Sequence, residues 1–434
     1  MHTLEQLKSG SLKGIKHLKI SESLNYFPLE ILDLADSLEI LDLSNNQISS
    51  LPDTFSNLHK LKIAFFSDND FHELPEVLGD CALLEMIGFK SNQIKKVSEK
   101  ALPKHLRWLI LTNNQIKDIP PALGNCHRLQ KLALAGNLIE ELPIELAQCK
   151  NLELIRISAN RLSVFPEFLL NMPRLSWIAY AGNPIDYPVQ VPNNLPSFDM
   201  NDIQLGKVLG QGASGIIYKS KVKNQEEELA VKVFKGQVTS DGFPETEMNI
   251  CLLAGNIPNL VEVKGKIVNH PDGKEGLVMS LIPGNFKNLG NPPSFESCSR
   301  DVFDVYTNFN IHQIHSILLG ISKVARHLHA LGISHGDLYA HNILYNEQAD
   351  HLLGDFGAGT FYDIHSPHAK LIEKIEVRAF ACLIDDFLQN TNEAHSTLVP
   401  YYELLDLCMQ EQVANRPDFK QIVEFLEGLQ PSTK

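Results

Sequence analysis

Apolar positions in the first 183 residues follow neither a sustained helical period nor a long strand alternation; they return in blocks. Each block closes on an asparagine: Asn46, Asn69, Asn92, Asn114, Asn137, Asn160 and Asn183. The steps between them are 23, 23, 22, 23, 23 and 23 residues. Leu38, Leu41 and Leu43 precede Asn46, Leu129, Leu132 and Leu134 precede Asn137, and Leu152, Ile155 and Ile157 precede Asn160. Six residues after most of these asparagines stands a proline: Pro52, Pro75, Pro120, Pro143 or Pro166. The pattern predicts one short strand and one return segment per block. A weaker copy around Ile15, Leu18 and Ile20 is expected to cap the array.

The string L-x-x-L-x-L-x-x-N resembles the leucine-rich-repeat signature, so residues 1–183 are expected to form a solenoid. No single block can bury its own leucine face, and stacked neighbours do so together. The Asn side chain is expected to satisfy backbone groups where the strand turns away. Cys81, Cys126 and Cys149 each fall twelve residues after a repeat Asn, where Leu58 and Met172 stand in other repeats. That places them inside as reduced thiols; a redox pair between Cys126 and Cys149 is the competing reading.

One column, six residues before each Asn, reads Ile40, Ile63, Met86, Trp108, Lys131, Leu154 and Trp177. Strand alternation is expected to turn it toward the concave side. An exposed apolar stripe there, with Trp108, Trp177, Met86 and Ile63 at its centre, would bind a protein partner or the chain's own second domain. The competing reading is ordinary strand preference for large apolar groups.

Residues 184–201 break the repeat, with Pro184, Pro188, Pro192 and Pro196, and read as a Pro-rich linker or cap. From residue 202 the pattern changes to longer strand-like and helix-like runs. Leu209-Gly210-Gln211-Gly212-Ala213-Ser214-Gly215 holds G-x-G-x-x-G between two β-type runs rather than before a helix. Such a hairpin brings backbone N–H groups of Gly210, Gly212, Ser214 and Gly215 close to phosphates, with Ile217 following on the second strand. Lys232, in Leu229-Ala230-Val231-Lys232-Val233, lies seventeen residues after Gly215. Glu245 and Glu247 open a predicted helix ending near Leu253, and Glu247 is preferred over Glu245 as the partner of Lys232. His335-Gly336-Asp337-Leu338-Tyr339-Ala340-His341-Asn342 is followed by Asp355-Phe356-Gly357, eighteen residues beyond Asp337.

In this order and spacing the motifs resemble the eukaryotic-type protein kinase superfamily over residues 202–434. The fold expected is α/β overall: a leucine-rich-repeat solenoid, then a bilobal α+β kinase fold. The whole chain resembles cytosolic, bacterial-type leucine-rich-repeat protein kinases. The resemblance implies ATP and Mg2+ as cofactors. Asp337 would orient the acceptor hydroxyl, Lys232 would neutralise phosphates, and Asn342 and Asp355 would hold the metal. The hinge run around Met279 and Leu281, with Ala230, would hold adenine.

Three departures stand out. Gly336 replaces the family's Arg, which meets a phosphorylated activation loop. Tyr339 stands where Ser/Thr kinases place a Lys, and the His-Gly-Asp-Leu string also resembles aminoglycoside phosphotransferases and RIO-type kinases. No Ala-Pro-Glu follows Gly357, and Glu376 opens a stretch resembling the central helix of the C-lobe with Glu for its usual Asp. Asn415-Arg416-Pro417 keeps the family's late Arg without its Glu partner. The expected function is transfer of the ATP γ-phosphate to a Ser/Thr hydroxyl of a protein substrate, with a pseudokinase scaffold or a small-molecule phosphotransferase as alternatives.

Composition narrows the class. Apolar residues make up 44% and charged residues 21%, ordinary for a globular chain. A net charge of −14 argues against nucleic-acid binding. Met1 to Ile20 carries four lysines and no apolar core of a leader, and no apolar run is long enough to span a bilayer. A cytoplasmic protein with no membrane partner is expected.

Overall fold

The computed structural model describes residues 1–190, 195–212, 214–236, 239 and 241–429. Residues 191–194 of the linker, Pro192 among them, and Ala213 of the glycine loop lie outside the described residues. The contacts divide the chain into two compact units: Met1–Arg174 with Asn183–Ile185, and Leu175–Gly182 with Asp186–Lys434.

In the first unit a short helix α1 (Leu4–Lys8) starts with a capping box of Thr3 and Gln6. Strands β1 (His17–Lys19), β2 (Ile40–Asp42), β3 (Ile63–Phe65), β4 (Met86–Gly88), β5 (Trp108–Ile110), β6 (Lys131–Ala133) and β7 (Leu154–Arg156) follow, one per repeat. Neighbours pair in parallel, with β1 serving as the capping copy. Each strand returns through a 3₁₀ turn, and Pro52, Pro75, Pro120, Pro143 and Pro166 occupy its N-cap. Proline suits that place because its fixed φ is the one needed and its missing N–H is not called upon. The repeat that lacks proline has Ser98, whose hydroxyl caps Lys100 N instead.

The repeat asparagines satisfy backbone as expected. Asn137 Nδ2 donates to Leu111 O and Leu134 O, both at 2.9 Å, and its Oδ1 accepts from Ile116 N at 3.0 Å. Asn160 and Asn114 repeat the arrangement. The residue before each of these asparagines has positive φ: Asn45, Asp68, Ser91, Asn113, Gly136, Ala159 and Gly182. That turn aims the following amide back into the stack. Cys81, Cys126 and Cys149 are buried and free. Burial pushes the Cys126 thiol up to about 11 and the Cys149 thiol to about 12, so neither is a reactive thiolate.

The stripe expected to be exposed is mostly covered. Ile63 is 6% exposed, Met86 2% and Trp177 1%, while Trp108 is half-buried. Ile40, Ile63, Met86, Trp108, Lys131 and Leu154 are direct cross-strand partners. Strands lie only about 4.8 Å apart, so side chains of this size shield one another. The Lys131 ammonium lies 4.7 Å from the Trp108 ring centre and covers it further. A Trp177 substitution is therefore not a surface change.

The second unit begins with β8 (Trp177–Ala179) and β9 (Ser197–Asp199). Then come β10 (Ile203–Gln211), β11 (Gly215–Val222), β12 (Glu228–Phe234), α2 (Pro244–Ala254), β13 (Val263–Val268) and β14 (Gly276–Ser280). Five of these strands form an antiparallel sheet in the order β10-β11-β12-β14-β13. β9, from the end of the linker, adds in parallel on β13. Its core packs Leu229, Val231 and Val278, all nearly or fully buried, against Ile203 and Ile267. The remainder holds β15 (Lys287–Asn288), α3 (Ile311–Ala330), β16 (Ile333–Ser334), β17 (Ile343–Tyr345), β18 (His351–Leu353) and β19 (Thr360–Phe361). It ends with α4 (Ala369–Gln389), α5 (His395–Cys408) and α6 (Phe419–Gly428). Glu376 lies within α4 rather than at its start. No helix among the described residues is long and apolar enough to cross a membrane.

Replacing Asn137 with Ala strands three buried backbone groups. The expected cost is about 2–4 kcal/mol of stability, read as a lower urea midpoint at unchanged slope. A midpoint equal to wild type would mean that the asparagine ladder does not hold the stack.

Candidate active site

A cleft of about 570 Å³ opens in the second unit between the sheet and the helical part. Leu209, Gly210, Ile217, Ala230, Met279 and Leu281 line it from the strand side. Lys232, Glu247, Asn342 and Asp355 bring the charged and polar groups. These are residues that the sequence pattern singled out, drawn from four strands, the helix α2 and the loops between elements. Lining residues that the motifs did not reveal include Cys251, Phe286, His341 and Leu344. Leu344 lies on β17 two residues after Asn342, a spacing that was available to be read; Phe286 sits in a loop with no pattern.

The glycine loop is the β10–β11 hairpin, and its pairing slips between Leu205 and Val208 and again before Gly210. A Cβ on Gly210 or Gly212 would meet nothing within 4 Å, whereas one on Gly215 would stand 2.7 Å from Val233 O. Gly215 is thus required by the sheet, while Gly210 and Gly212 leave open room above the cleft. Gly212, Ser214 and Gly215 are not among the residues lining the cleft. Lys235 Nζ ties the loop by donating to Gly212 O at 2.8 Å.

Lys232, on β12, forms a direct ion pair with Glu247 on α2, both deeply buried. Glu245, the other candidate, is not that partner. Burial works against the Lys232 charge, but Glu247 and Asp355 outweigh it and hold the ammonium above its usual range. It is a fixed positive charge facing the cleft.

The loop from Ser334 to Asn342 is gathered by one buried carboxylate. Glu376 on α4 accepts from Gly336 N at 2.7 Å and His335 N at 3.2 Å, and lies 2.7 Å from His329 Nε2. Burial raises its pKa, but the His329 contact and the backbone N–H outweigh it and hold the carboxyl below its usual range. His335 Nε2 bonds Gly354 O at 3.0 Å and its ring packs on Phe356. Asn342 Nδ2 donates to Asp337 O at 2.8 Å and Asp337 Oδ2 at 3.0 Å. Asp355 is exposed, with φ +57°. Asp301 binds His341 through its backbone N–H at 2.9 Å and Nδ1 at 2.7 Å.

Gly336, the short segment after Gly357 and the late Arg416 acquire physical reasons. Gly336 has φ +71°, and a Cβ there would stand 2.4 Å from Ala358 O and 2.7 Å from Ile178 O, so an Arg has no place. The segment after Gly357 is compact: Phe361 and Thr360 pair with Ile333 and Ser334. The Tyr362 hydroxyl lies 2.8 Å from His329 Nδ1. The late Arg416 is buried and donates to Gln410 O and Lys374 O, each at 3.0 Å, so backbone carbonyls serve it.

Comparisons with known proteins identify the same two kinds of domain. A family model described as protein kinase domain matches residues 203–375, and leucine-rich-repeat models match 37–58 and 104–148. A cyclin-dependent kinase 11.1 from Caenorhabditis elegans is 27% identical over 178 residues, 40% of this chain and 24% of that protein. The human cyclin-dependent kinase 11B is 26% identical over 187 residues, 42% of this chain and 22% of its own. The Drosophila melanogaster serine/threonine-protein kinase PITSLRE is 27% identical over 184 residues, covering 41% and 18%. The chain thus spans about a quarter or less of the length of each of these three relatives.

Glu376→Gln keeps the shape and removes the charge. At neutral pH it is expected to cost about 2–3 kcal/mol. A carboxyl whose folded pKa lies below its unfolded one, near 4.5, stabilises fully above that value and loses the effect as pH falls through the folded one. The gap between wild type and Glu376→Gln in thermal unfolding should therefore narrow below about pH 4.5; a gap that stays constant with pH would contradict the charged assignment.

Proposed function

We propose that this chain, in which leucine-rich repeats precede a protein kinase domain, transfers the γ-phosphate of ATP to a Ser or Thr hydroxyl of a protein. The observation that carries the reading is the convergence on one cleft of Lys232 paired with Glu247, Asn342 bonded to Asp337, and Asp355. The apolar plates Leu209, Ala230, Met279 and Leu344 suit a purine, and the room over Gly210 and Gly212 suits phosphates. Lys232 neutralises phosphate charge from its buried ion pair. Asp337, held by the Asn342 amide, orients the acceptor hydroxyl and takes up its proton. Asn342 and Asp355 offer two oxygen donors, which fits Mg2+, a cation that keeps waters and takes phosphate oxygens. The metal would supply neutralisation of charge on the transferring phosphoryl group.

A second reading, a small-molecule phosphotransferase, draws on the short segment between Gly357 and α4, which offers little for an extended peptide to lie along. The repeats, in turn, favour a protein partner, with half-exposed Trp108 as one contact. All seven cysteines are free, as in a reducing compartment, which supports a cytoplasmic location.

Asp355→Asn is expected to abolish Mg2+-dependent transfer from labelled ATP to protein while leaving the melting curve unchanged. Lys232→Met is expected to lower the rate about 10²-fold or more. Wild-type transfer by the Asp355 variant would refute the assignment, and labelling of small alcohols or aminoglycosides instead of protein would favour the second reading.

Thr360 and Tyr362 are buried, and no Arg stands beside Asp337. Phosphatase treatment and the triple change Thr360→Ala/Tyr362→Phe/Ser366→Ala should both leave the turnover rate per folded molecule unchanged. A large loss in both would show that the segment is switched by phosphate.

A further inference from the structure

The segment Leu175–Gly182 belongs by sequence to the last repeat, yet it lies in the same compact unit as the catalytic loop. It touches that loop at three successive places. The Trp177 indole stacks on the Tyr339 ring, with centroids 4.1 Å and planes 7° apart. Trp177 Nε1–H donates to Leu338 O at 3.0 Å. One residue on, Ile178 O stands where it would meet a Gly336 Cβ. Tyr339 continues the stack onto His341, 4.9 Å away, which Asp301 holds. Trp177, Leu338 and Tyr339 are all buried.

We infer that Trp177 is a positioning residue for the phosphotransfer reaction: it braces the catalytic loop so that Asp337, between Gly336 and Leu338, keeps its aim. The inference rests on the kinase reading above. A loop with so little regular structure needs outside contacts to hold a carboxylate to a fraction of an ångström. Glu376 fixes the loop at His335 and Gly336, and Asn342 fixes it from its far end. Between those two points, Trp177 holds Leu338 O and the Tyr339 ring, which also meets His341. The brace also accounts for two departures at once. Tyr339 offers the flat face that an indole stacks on. Gly336 leaves space for the Ile178 carbonyl. A phosphate-reading Arg in that place and this brace exclude one another sterically, so the loop is held by packing that is always present.

The test uses the full-length chain with Trp177→Ala, Trp177→Phe, Tyr339→Ala and the double Ala variant, assayed with ATP, Mg2+ and the best protein acceptor. Trp177→Ala should lower kcat about 10-fold or more, in line with the cost of a small misplacement. Its KM for ATP should stay within about 2-fold, since binding groups are untouched. Hydrogen exchange at residues 335–340 should quicken, while β12 and α2 keep wild-type protection. Trp177→Phe, which keeps the stack, should recover most of kcat. The double variant should be no worse than Trp177→Ala alone, as expected of groups acting through one contact. Wild-type kcat or unchanged exchange at 335–340 in Trp177→Ala would overturn the inference. So would a rise in KM and exchange throughout the unit, which would mark a general packing role. A wild-type chain that transfers no phosphate would refute the kinase reading itself, and this inference with it.

Discussion

The Glu376 carboxylate, buried in the middle of α4, holds the loop on which the proposed chemistry depends. It accepts two consecutive backbone N–H groups and faces His329, so its charge is compensated where water cannot reach. Two N–H groups pointing one way force a local turn, and Gly336 supplies it with φ +71°. Asp337 follows directly. A residue nineteen positions from the nearest motif in the chain, Asp355-Phe356-Gly357, therefore helps to set the direction of the acidic group, because α4 carries its carboxylate to the His335 and Gly336 N–H groups.

The same device recurs in a different key along the repeats. There the buried group is an amide rather than a carboxylate, and it serves carbonyls as well as N–H groups. Asn342 uses the amide again at the cleft, bonding both backbone and side chain of Asp337. In each case an irregular stretch of backbone is stabilised by a short polar side chain that finishes what no ladder can. Neutral amides suffice where the stretch only has to be held. A charge is present at Glu376, where His329 can answer it.

Lys232 and Glu247 set the other side of the cleft. Their pairing joins β12 to α2 and fixes the ammonium at the edge of the cleft. A buried pair of this kind is weak evidence for stability but strong for geometry, since losing either partner leaves an uncompensated charge. With Asp355 in reach, the cleft brings a fixed cation and an exposed carboxylate together, the arrangement that a phosphate and a divalent cation would fit.

The sequence by itself determined the periodic half almost completely. Its asparagines, leucines and prolines act within one repeat or on the next, and local chemistry repeated at fixed spacing is legible in one dimension. It also named Lys232, Glu247, Asp337, Asn342 and Asp355, because each belongs to a motif whose spacing is set by short connected elements. Tertiary structure alone decided what lies between distant segments. The stripe through Ile63, Met86 and Trp177 read as exposed from alternation, which tells which side a residue faces and not what covers it. Trp177 meets Tyr339 across 162 positions of sequence. Arg416 finds the carbonyls of Gln410 and Lys374, and the space a side chain would need at Gly336 is taken by the carbonyls of Ala358 and Ile178. None of these contacts has a period or a spacing, since each is fixed by how separate elements pack and by which buried polar groups must then be satisfied.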